Sequence, residues 1–525
     1  MRKFWTGVGL GLFAFVLRIL FLGKQSLGVD EAFSVFMASH SFPEFMKLIP
    51  YDAHPFIFYT FLHFWMMGGD KEAYLRFPSV ICGVANCIFV YLLGKELLGE
   101  KRGILAALFW ACAVMALKAE TNIRMYPYAT CFSLISTFWF WKAYSGSLQS
   151  IGSSGKNMRS ADKNRQSRED SQRSSLKHWL LYYVFATLSL YTHYYTGFII
   201  MGQWIFLLVR KRWREAVWMP LILTLLFSPW APVFFLQFVH AIDTGMPKAT
   251  WGNFFYYLGL FLEPRRFFLR IPLFFYFAAS FLSLEFLVWG FWVLYKDEKE
   301  KGIFLALLFA VPYCVPFFIS HFSPRHIFAF RYLILCVPYF FLLFIYGIFS
   351  MPKPAAYPVY GILIFLSLFS WVFSLLGHGS SYQIQDWRKA ASLIRHHLKK
   401  TDLIFVETGM GQYPLWYYLS PYFSVHWIGK MSTYTLFDRA NRSSILVYPV
   451  TEALLPEVKE EVKKNQKMGG REWLVLCQPL LVDPHLKVRG WILRHQTLLK
   501  SYHLGSIVKW DHIHLYWLSS RSDRR

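Results

Sequence analysis

Asp30 and Glu31 stand side by side just past the first long apolar run, and they are well placed to take a proton from a hydroxyl group. Carboxylates at the edge of an apolar phase are costly, which makes them functional candidates. Further along, Asp52, His54, Glu120, Arg124, His193, Arg325, His326 and Arg331 each lie at the end of an apolar run or in a segment joining two runs. Acids can accept protons, and the planar fork of an arginine can hold two phosphate oxygens at once. One base and an electropositive clamp suffice to displace a phosphate, because phosphate leaves readily without a second carboxyl acid.

Those residues need elements to carry them. Of the 525 residues, 55% are apolar and 20% aromatic, too many for one soluble core under a polar surface, so the chain reads as a polytopic α-helical membrane protein. The run Phe4 to Leu22, interrupted by Arg18, is long enough to span a bilayer and follows Arg2 and Lys3. It lacks a small-residue cleavage site, so it reads as a retained anchor with its start in the cytoplasm and Asp30 and Glu31 outside. About eleven such runs follow one another, near 4–22, 74–94, 103–119, 125–144, 179–193, 196–210, 216–236, 271–295, 302–320, 332–350 and 357–376. An odd number leaves the two termini on opposite sides of the cell's inner membrane.

Charge supports that alternation. Lys95, Lys101 and Arg102, then Arg210, Lys211, Arg212 and Arg214, then Lys296, Lys299 and Lys301 all fall in segments assigned to the cytoplasm. The formal charge of +24 is therefore a topology signal, and no nucleic-acid partner is expected. On this topology Asp30, Glu31, Asp52, His54, Glu120, Arg124, His193, Arg325, His326 and Arg331 share the outer face, where they form one candidate site. Cysteines are scattered, mostly within apolar runs and without paired spacing, which disfavours disulfides and cysteine-bound metal. His512 and His514 share one face of a strand pattern but lack further ligands, so no residue is assigned to a metal.

Other segments have their own signatures. Residues 145–177 are polar and basic with almost nothing to anchor a fold, which predicts a disordered cytoplasmic insert. Between Gly23 and Tyr74, aromatic and polar residues alternate at helical spacing around 30–38 and 54–67. The long outer segment from Gln237 to Arg270 has the length of a lid. After a polar hinge at Gly377 to Ser381, no stretch is long enough to span, so 1–376 reads as the helical membrane domain and 377–525 as an extracytoplasmic domain. There a helix with one apolar stripe, Ile384 to Leu398, precedes strand patterns at 403–406, 445–448, 473–476 and 514–517, with helices near 413–419 and 451–468. That alternation predicts a small α/β layer structure.

The stretch Ser26-Leu27-Gly28-Val29-Asp30-Glu31-Ala32-Phe33, then Asp52-Ala53-His54-Pro55 and Leu75-Arg76-Phe77-Pro78-Ser79, resembles the bacterial polyprenyl-phosphate-dependent glycosyltransferases of the GT-C superfamily, in particular the protein O-mannosyltransferase and aminoarabinose-transferase group. Arg124-Met125-Tyr126, His193-Tyr194-Tyr195, Arg331-Tyr332 and Asp386-Trp387-Arg388 match in order. The resemblance implies a hexosyl- or pentosyltransferase that moves a sugar, with inversion, from a polyprenyl-phosphate donor to an acceptor hydroxyl on a lipid, glycan or protein at the outer membrane face. It implies Asp30 as the base and Glu31 as a positioner of acceptor or cation, with a divalent cation left open. Arg124 and Arg331 would contact the donor phosphate, and Asp52, His54, Tyr126, His193 and Tyr194 would line the pocket. The chain departs from the family pattern at Asn122, where an acid is usual, and at Phe56, which replaces the second proline of a His-Pro-Pro.

A transporter or flippase of lipid-linked sugars is the rival reading, since it too needs outer cations and a lipid groove. Such proteins place ionisable groups near the middle of broken helices in paired halves. Here the charges gather at one face, and no internal repeat is visible.

Overall fold

A backbone in lipid has no water to satisfy its amides, so an apolar stretch of twenty residues forms a helix and leaves its irregular turns to the ends. The structure, a computed structural model, describes residues 2–20, 22–152, 161–240, 248–262, 273–375, 386–398, 402–407, 411–422, 424–428, 433–438, 443–450, 455–467, 471–477, 496–504 and 513–520. In chain order the helices are α1 Arg2–Ile19, α2 Val29–Ser39, α3 Phe42–Leu48, α4 Ile57–Met66, α5 Glu72–Leu98, α6 Glu100–Cys112 and α7 Val114–Ala119. Then come α8 Tyr126–Gly152, α9 Ala161–Leu190, α10 Thr196–Val209, α11 Trp213–Phe227, α12 Ala231–His240, α13 Trp251–Leu260, α14 Leu273–Asp297, α15 Lys299–Phe322, α16 Val337–Ile348 and α17 Lys353–Leu375. The last three are α18 Trp387–His397, α19 Gln412–Leu419 and α20 Leu455–Lys467. Two compact units divide the chain: one holds Met1–Leu20 with His40–Trp371, the other Phe21–Ser39 with Val372–Arg525.

In the first unit the described parts of the apolar runs read from the sequence are largely helical. Among the described residues three helical runs are long and apolar enough to cross a membrane, Glu72–Leu98, Trp213–Val239 and Lys299–Phe322, and several shorter apolar helices accompany them. Large apolar side chains stand outward on these helices, including Leu12, Leu225, Phe235, Phe281 and Phe365, an arrangement suited to lipid. The inner helix α16 is apolar all round and buried at every position. Glycine lets it approach α14: a Cβ on Gly290 would lie 2.0 Å from the Leu343 carbonyl, and one on Gly347 2.5 Å from that of Phe286.

One expectation changes here. The described part of the insert expected to be disordered is helical, through Gly152 in α8 and from Ala161 in α9, while 153–160 lie outside the described residues. Both helices grow out of packed apolar segments, so extending them adds hydrogen bonds without a new nucleus. Within the lid-length segment, 241–247 and 263–272 lie outside the described residues, but α13 is packed. Trp251 and Phe254 meet Phe317 of α15 at ring distances of 4.9 and 4.7 Å, and the Tyr313 hydroxyl caps the Phe254 carbonyl at 2.5 Å.

The second unit is built on a seven-stranded sheet: β1 Leu403–Glu407, β2 Ser424–Ile428, β3 Thr433–Asp438, β4 Ser443–Val450, β5 Glu472–Cys477, β6 Gln496–Leu504 and β7 Ile513–Ser520. Its order is β2-β3-β4-β1-β5-β7-β6. β1 runs parallel to β4 and β5, with Ile404 opposite Val447 and Trp473, and the outer pairs are antiparallel. Helix α18 begins at an Asp386 cap, whose carboxylate accepts the Lys389 amide at 3.1 Å. Its buried stripe of Trp387, Ala390, Ala391 and Ile394 packs with Ile404, Val406, Leu415, Leu419, Trp473, Val475 and Leu515. The hinge at 377–381 and His512 lie outside the described residues. Helix α2, within the range read from the sequence as the membrane domain, belongs to this second compact unit, where Phe33 and Phe36 find an aromatic partner in Tyr413 of α19.

Candidate functional site

Short turns between helices of the first unit carry several of its buried polar residues. The turn at 120–125 between α7 and α8 holds Arg124, and Ser79 of α5 shapes it by donating to the Asn122 carbonyl at 2.7 Å. The Arg124 amide closes the turn on the same carbonyl at 2.9 Å. Asp52 and His54 follow a single 3-10 turn, Ile49–Tyr51. His193 sits in the link from α9 to α10, and Tyr332 on a 3-10 helix, Phe330–Leu335, ahead of α16.

These turns converge. Arg124 Nη2 donates to His54 Nε2 at 3.4 Å, and since a guanidinium has no acceptor, that imidazole nitrogen carries no proton. The His54 ring lies 5.0 Å from that of His193, which lies 5.6 Å from Tyr126 and 4.9 Å from Tyr332. The Arg124 guanidinium is 5.7 Å from the Tyr126 ring. His54, Arg124, Tyr126 and His193 are each more than nine-tenths buried.

Protonation follows from the partners. The Tyr195 amide donates to His193 Nδ1 at 3.2 Å, so the ring proton sits on Nε2. Burial, followed by the charges around His54, Arg124 and Arg331, holds the pKa of His193 well below the ordinary imidazole value. His193 is therefore a neutral donor, and both its Nε2 and the Tyr126 hydroxyl are buried with no hydrogen-bond partner. Half-buried Asp52 accepts from the Tyr59 hydroxyl at 2.7 Å. Burial raises its pKa, against the lowering effects of that hydrogen bond, of Arg124 and of the Ala53 and His54 amides. A cation and two unspent neutral donors in an aromatic enclosure can bind an oxyanion.

Gln237, which the sequence reading passed over, braces the cluster. Its amide nitrogen donates to the Ile49 and His54 carbonyls at 2.7 and 3.0 Å, and its oxygen accepts from the Tyr194 hydroxyl. Trp230 donates to that same hydroxyl at 2.9 Å. A lone amide in the apolar run 231–240 is the signal that could have revealed it. Phe56 meets the Trp230 ring at a tilt at 4.5 Å and the Tyr191 ring edge to face at 5.7 Å, contacts that the family's proline would not make.

Other expected site residues are placed elsewhere or at the margin. Both carboxylate oxygens of Glu120 are used inside the first unit: Oε2 accepts from Arg18 Nε at 2.7 Å and from Arg18 Nη2, while Oε1 accepts from Asn86 at 2.7 Å and Trp110 at 3.2 Å. Arg325 donates to the Phe238 carbonyl at 2.6 Å and lies over the Phe238 ring. Arg331 is exposed and acts on His193 through its charge. Asp30 and Glu31 occupy the first turn of α2 in the second unit, Asp30 exposed and Glu31 buried, with Glu31 Oε2 accepting the Gly28 amide at 3.0 Å. Among the described residues, no group of three His, Cys, Asp or Glu side chains could hold a metal ion.

The family model for dolichyl-phosphate-mannose-protein mannosyltransferases matches residues 52–148, the segment that carries Asp52, His54, Arg124 and Tyr126. Over 98% of both chains the fold is similar to that of ArnT from Cupriavidus metallidurans in the apo state, at 12% identity and a TM-score of 0.57. The same protein bound to undecaprenyl phosphate matches at 11% identity and a TM-score of 0.56, again over 98% of both chains. The Archaeoglobus fulgidus oligosaccharyltransferase, in complex with Zn and sulfate, is similar over 96% of this chain and 73% of its own, at 11% identity and a TM-score of 0.52. No curated protein matches the sequence. The resemblance to GT-C polyprenyl-phosphate-dependent glycosyltransferases read from the motifs is borne out by the family match and by the shared fold.

Proposed function

We propose that the chain is a membrane glycosyltransferase that moves one sugar, hexose or pentose, from a polyprenyl-phosphate donor to an acceptor hydroxyl on a lipid, glycan or protein. Asp30 takes the acceptor's proton as its oxygen attacks the anomeric carbon, and the configuration inverts. Arg124, His193 and Tyr126 hold the departing phosphate, with Arg331 as a second cation. Asp52, His54 and Tyr194 shape the pocket, and Glu31 positions the acceptor or a divalent cation. The helices cross the inner membrane about eleven times, by length and composition, with the N-terminus cytoplasmic and the α/β domain outside.

The observation that carries this reading is the buried cluster in which Arg124 stands beside two neutral donors with unspent hydrogens. Burying such donors without partners is costly, and a bound phosphate oxygen would relieve that cost. Support also comes from ArnT, solved with undecaprenyl phosphate bound, which has the same fold along its whole length.

The test supplies purified protein with radiolabelled polyprenyl-phosphate sugars and candidate acceptors, comparing wild type with Asp30→Asn and Arg124→Met. Transfer by wild type alone, with Asp30→Asn binding donor normally and Arg124→Met binding it weakly, is expected. Equal transfer by wild type and Asp30→Asn would remove Asp30 as the base, and transbilayer movement of donor without transfer would favour a carrier.

A further inference from the structure

Helix α2 has 11 residues, too few to hold its shape without packing. Its packing within the second unit comes from the C-terminal α/β domain. Phe33 meets Tyr413 of α19 edge to face at 5.2 Å, and Phe36 meets Tyr413 and Trp416 at 4.8 and 5.5 Å. The Leu27 amide donates to the Tyr418 hydroxyl at 2.7 Å, 391 positions along the chain. Val29, the residue before Asp30, packs on the domain's core with Trp416 and Tyr418. Ahead of it Arg388 Nη2 donates to the Gly23 and Gln25 carbonyls at 3.2 and 3.3 Å. The approach to α2, its first turn and its apolar face are thus all held by α18 and α19. Local bonds finish the turn: Ser34 donates to the Asp30 carbonyl at 3.0 Å and Glu31 accepts the Gly28 amide.

We infer that the C-terminal α/β domain is a positioning module for the acid pair, with Tyr418, Tyr413, Trp416 and Arg388 holding the helix turn that carries Asp30. This rests on Asp30 being the base. The four act through α2, which they hold by its approach, first turn and apolar face. Because general-base catalysis depends steeply on geometry, loosening α2 lowers turnover. Donor binding, a property of the buried cluster in the first unit, is left alone. The domain is in this sense a working part of the transferase.

Full-length protein in lipid nanodiscs tests the inference, with a radiolabelled polyprenyl-phosphate sugar that wild type uses. Tyr418→Phe and Arg388→Met should each lower kcat by roughly 10- to 100-fold with donor KM unchanged. Arg388→Lys, which keeps a donor, should lose less. Hydrogen exchange of peptides spanning 23–39 should quicken in Tyr418→Phe while the apparent unfolding temperature stays put. Full kcat in both Tyr418→Phe and Arg388→Met, beside an inactive Asp30→Asn, overturns the positioning role. So does a loss that appears only in donor KM. Wild-type transfer by Asp30→Asn is a separate failure, which removes the base and the inference with it.

Discussion

The buried pair Arg18 and Glu120 separates a structural acid from a catalytic one. Both side chains are fully buried. Arg18 also donates to the Ala14 carbonyl at 2.9 Å and, more weakly, to that of Ala111 at 3.4 Å. Replacing Glu120 with Ala leaves the guanidinium charged and unpaired in a sealed interior, a loss of about 3–5 kcal/mol. It also strips acceptors from Asn86 and Trp110, at about 1–3 kcal/mol for each donor left unsatisfied. Removing both charges together is much milder. In the double variant Arg18→Met/Glu120→Gln, the glutamine oxygen still accepts from Asn86 and Trp110 and methionine fills much of the arginine stem, while the new amide nitrogen loses the arginine, so the net loss should be about 1–3 kcal/mol, well short of that in Glu120→Ala. The assay is the apparent unfolding temperature in detergent, followed by tryptophan fluorescence, with transfer measured per folded molecule. Glu120→Ala should unfold early, and the double variant should recover much of the stability and, per folded molecule, the transfer. A double variant that stays folded at the assay temperature yet transfers nothing would refute the structural assignment and return Glu120 to the chemistry.

Two further expectations concern single groups. His193→Phe removes one neutral donor but keeps an aromatic ring, so donor KM should rise by roughly 10- to 100-fold, the value of a hydrogen bond to a charged acceptor. Because His193 stays neutral well below the usual imidazole range, donor KM in wild type should show no step assignable to His193 between about pH 6 and 8, which kinetics of wild type and variant across that range would check. Glu472, buried at the start of β5 with Asn465 donating to it at 3.1 Å, has a carboxyl pKa raised to about 7, mainly by burial. The folded state then binds more protons than the unfolded state between about 4.5 and 7, so the domain loses stability as pH rises through that window, by roughly 3 kcal/mol at most. Glu472→Gln should flatten the fall, read by hydrogen exchange of peptides covering 471–477 in full-length protein, corrected for the intrinsic pH dependence of exchange.

Helices were legible because apolar runs of twenty residues leave the backbone no alternative, and the runs near 74–94 and 302–320 match α5 and α15 closely. The stripe through Trp387, Ala391 and Ile394 foretold α18 for the same reason. Strands β2, β3 and β6 were missed. They are short or mixed in polarity, and each lies at or next to a sheet edge where one side of the ladder supplies little apolar pattern. In the site, the types and turn positions of Asp52, His54, Arg124 and His193 could be read, but their tautomers could not. Those depend on the Tyr195 amide and the Arg124 guanidinium, partners that only the fold supplies. Glu120 misled because position at a helix end does not distinguish an acid facing a pocket from one sealed against Arg18. The packing partner of α2 was invisible for a related reason. A helix of 11 residues belongs to whatever its aromatic face meets, and Tyr413 lies nearly four hundred residues away.

The charge economy of the buried cluster bears on how a lipid-linked phosphate is held and let go. Arg124 is its buried fixed cation, and the imidazoles beside it are neutral by tautomer. On the proposed reaction the donor is a phosphodiester with one negative charge, and the leaving group gains charge as the sugar departs. A hydrogen bond from Arg124, His193 or Tyr126 strengthens as that charge develops, so it favours the transition state over the bound donor. Exposed Arg331 adds its charge through solvent-screened distance, which weakens its grip on the product. One buried cation with neutral donors therefore suits an enzyme that must stabilise a departing phosphate and then release it to the bilayer. A cage of several buried arginines would hold the product and slow each turnover.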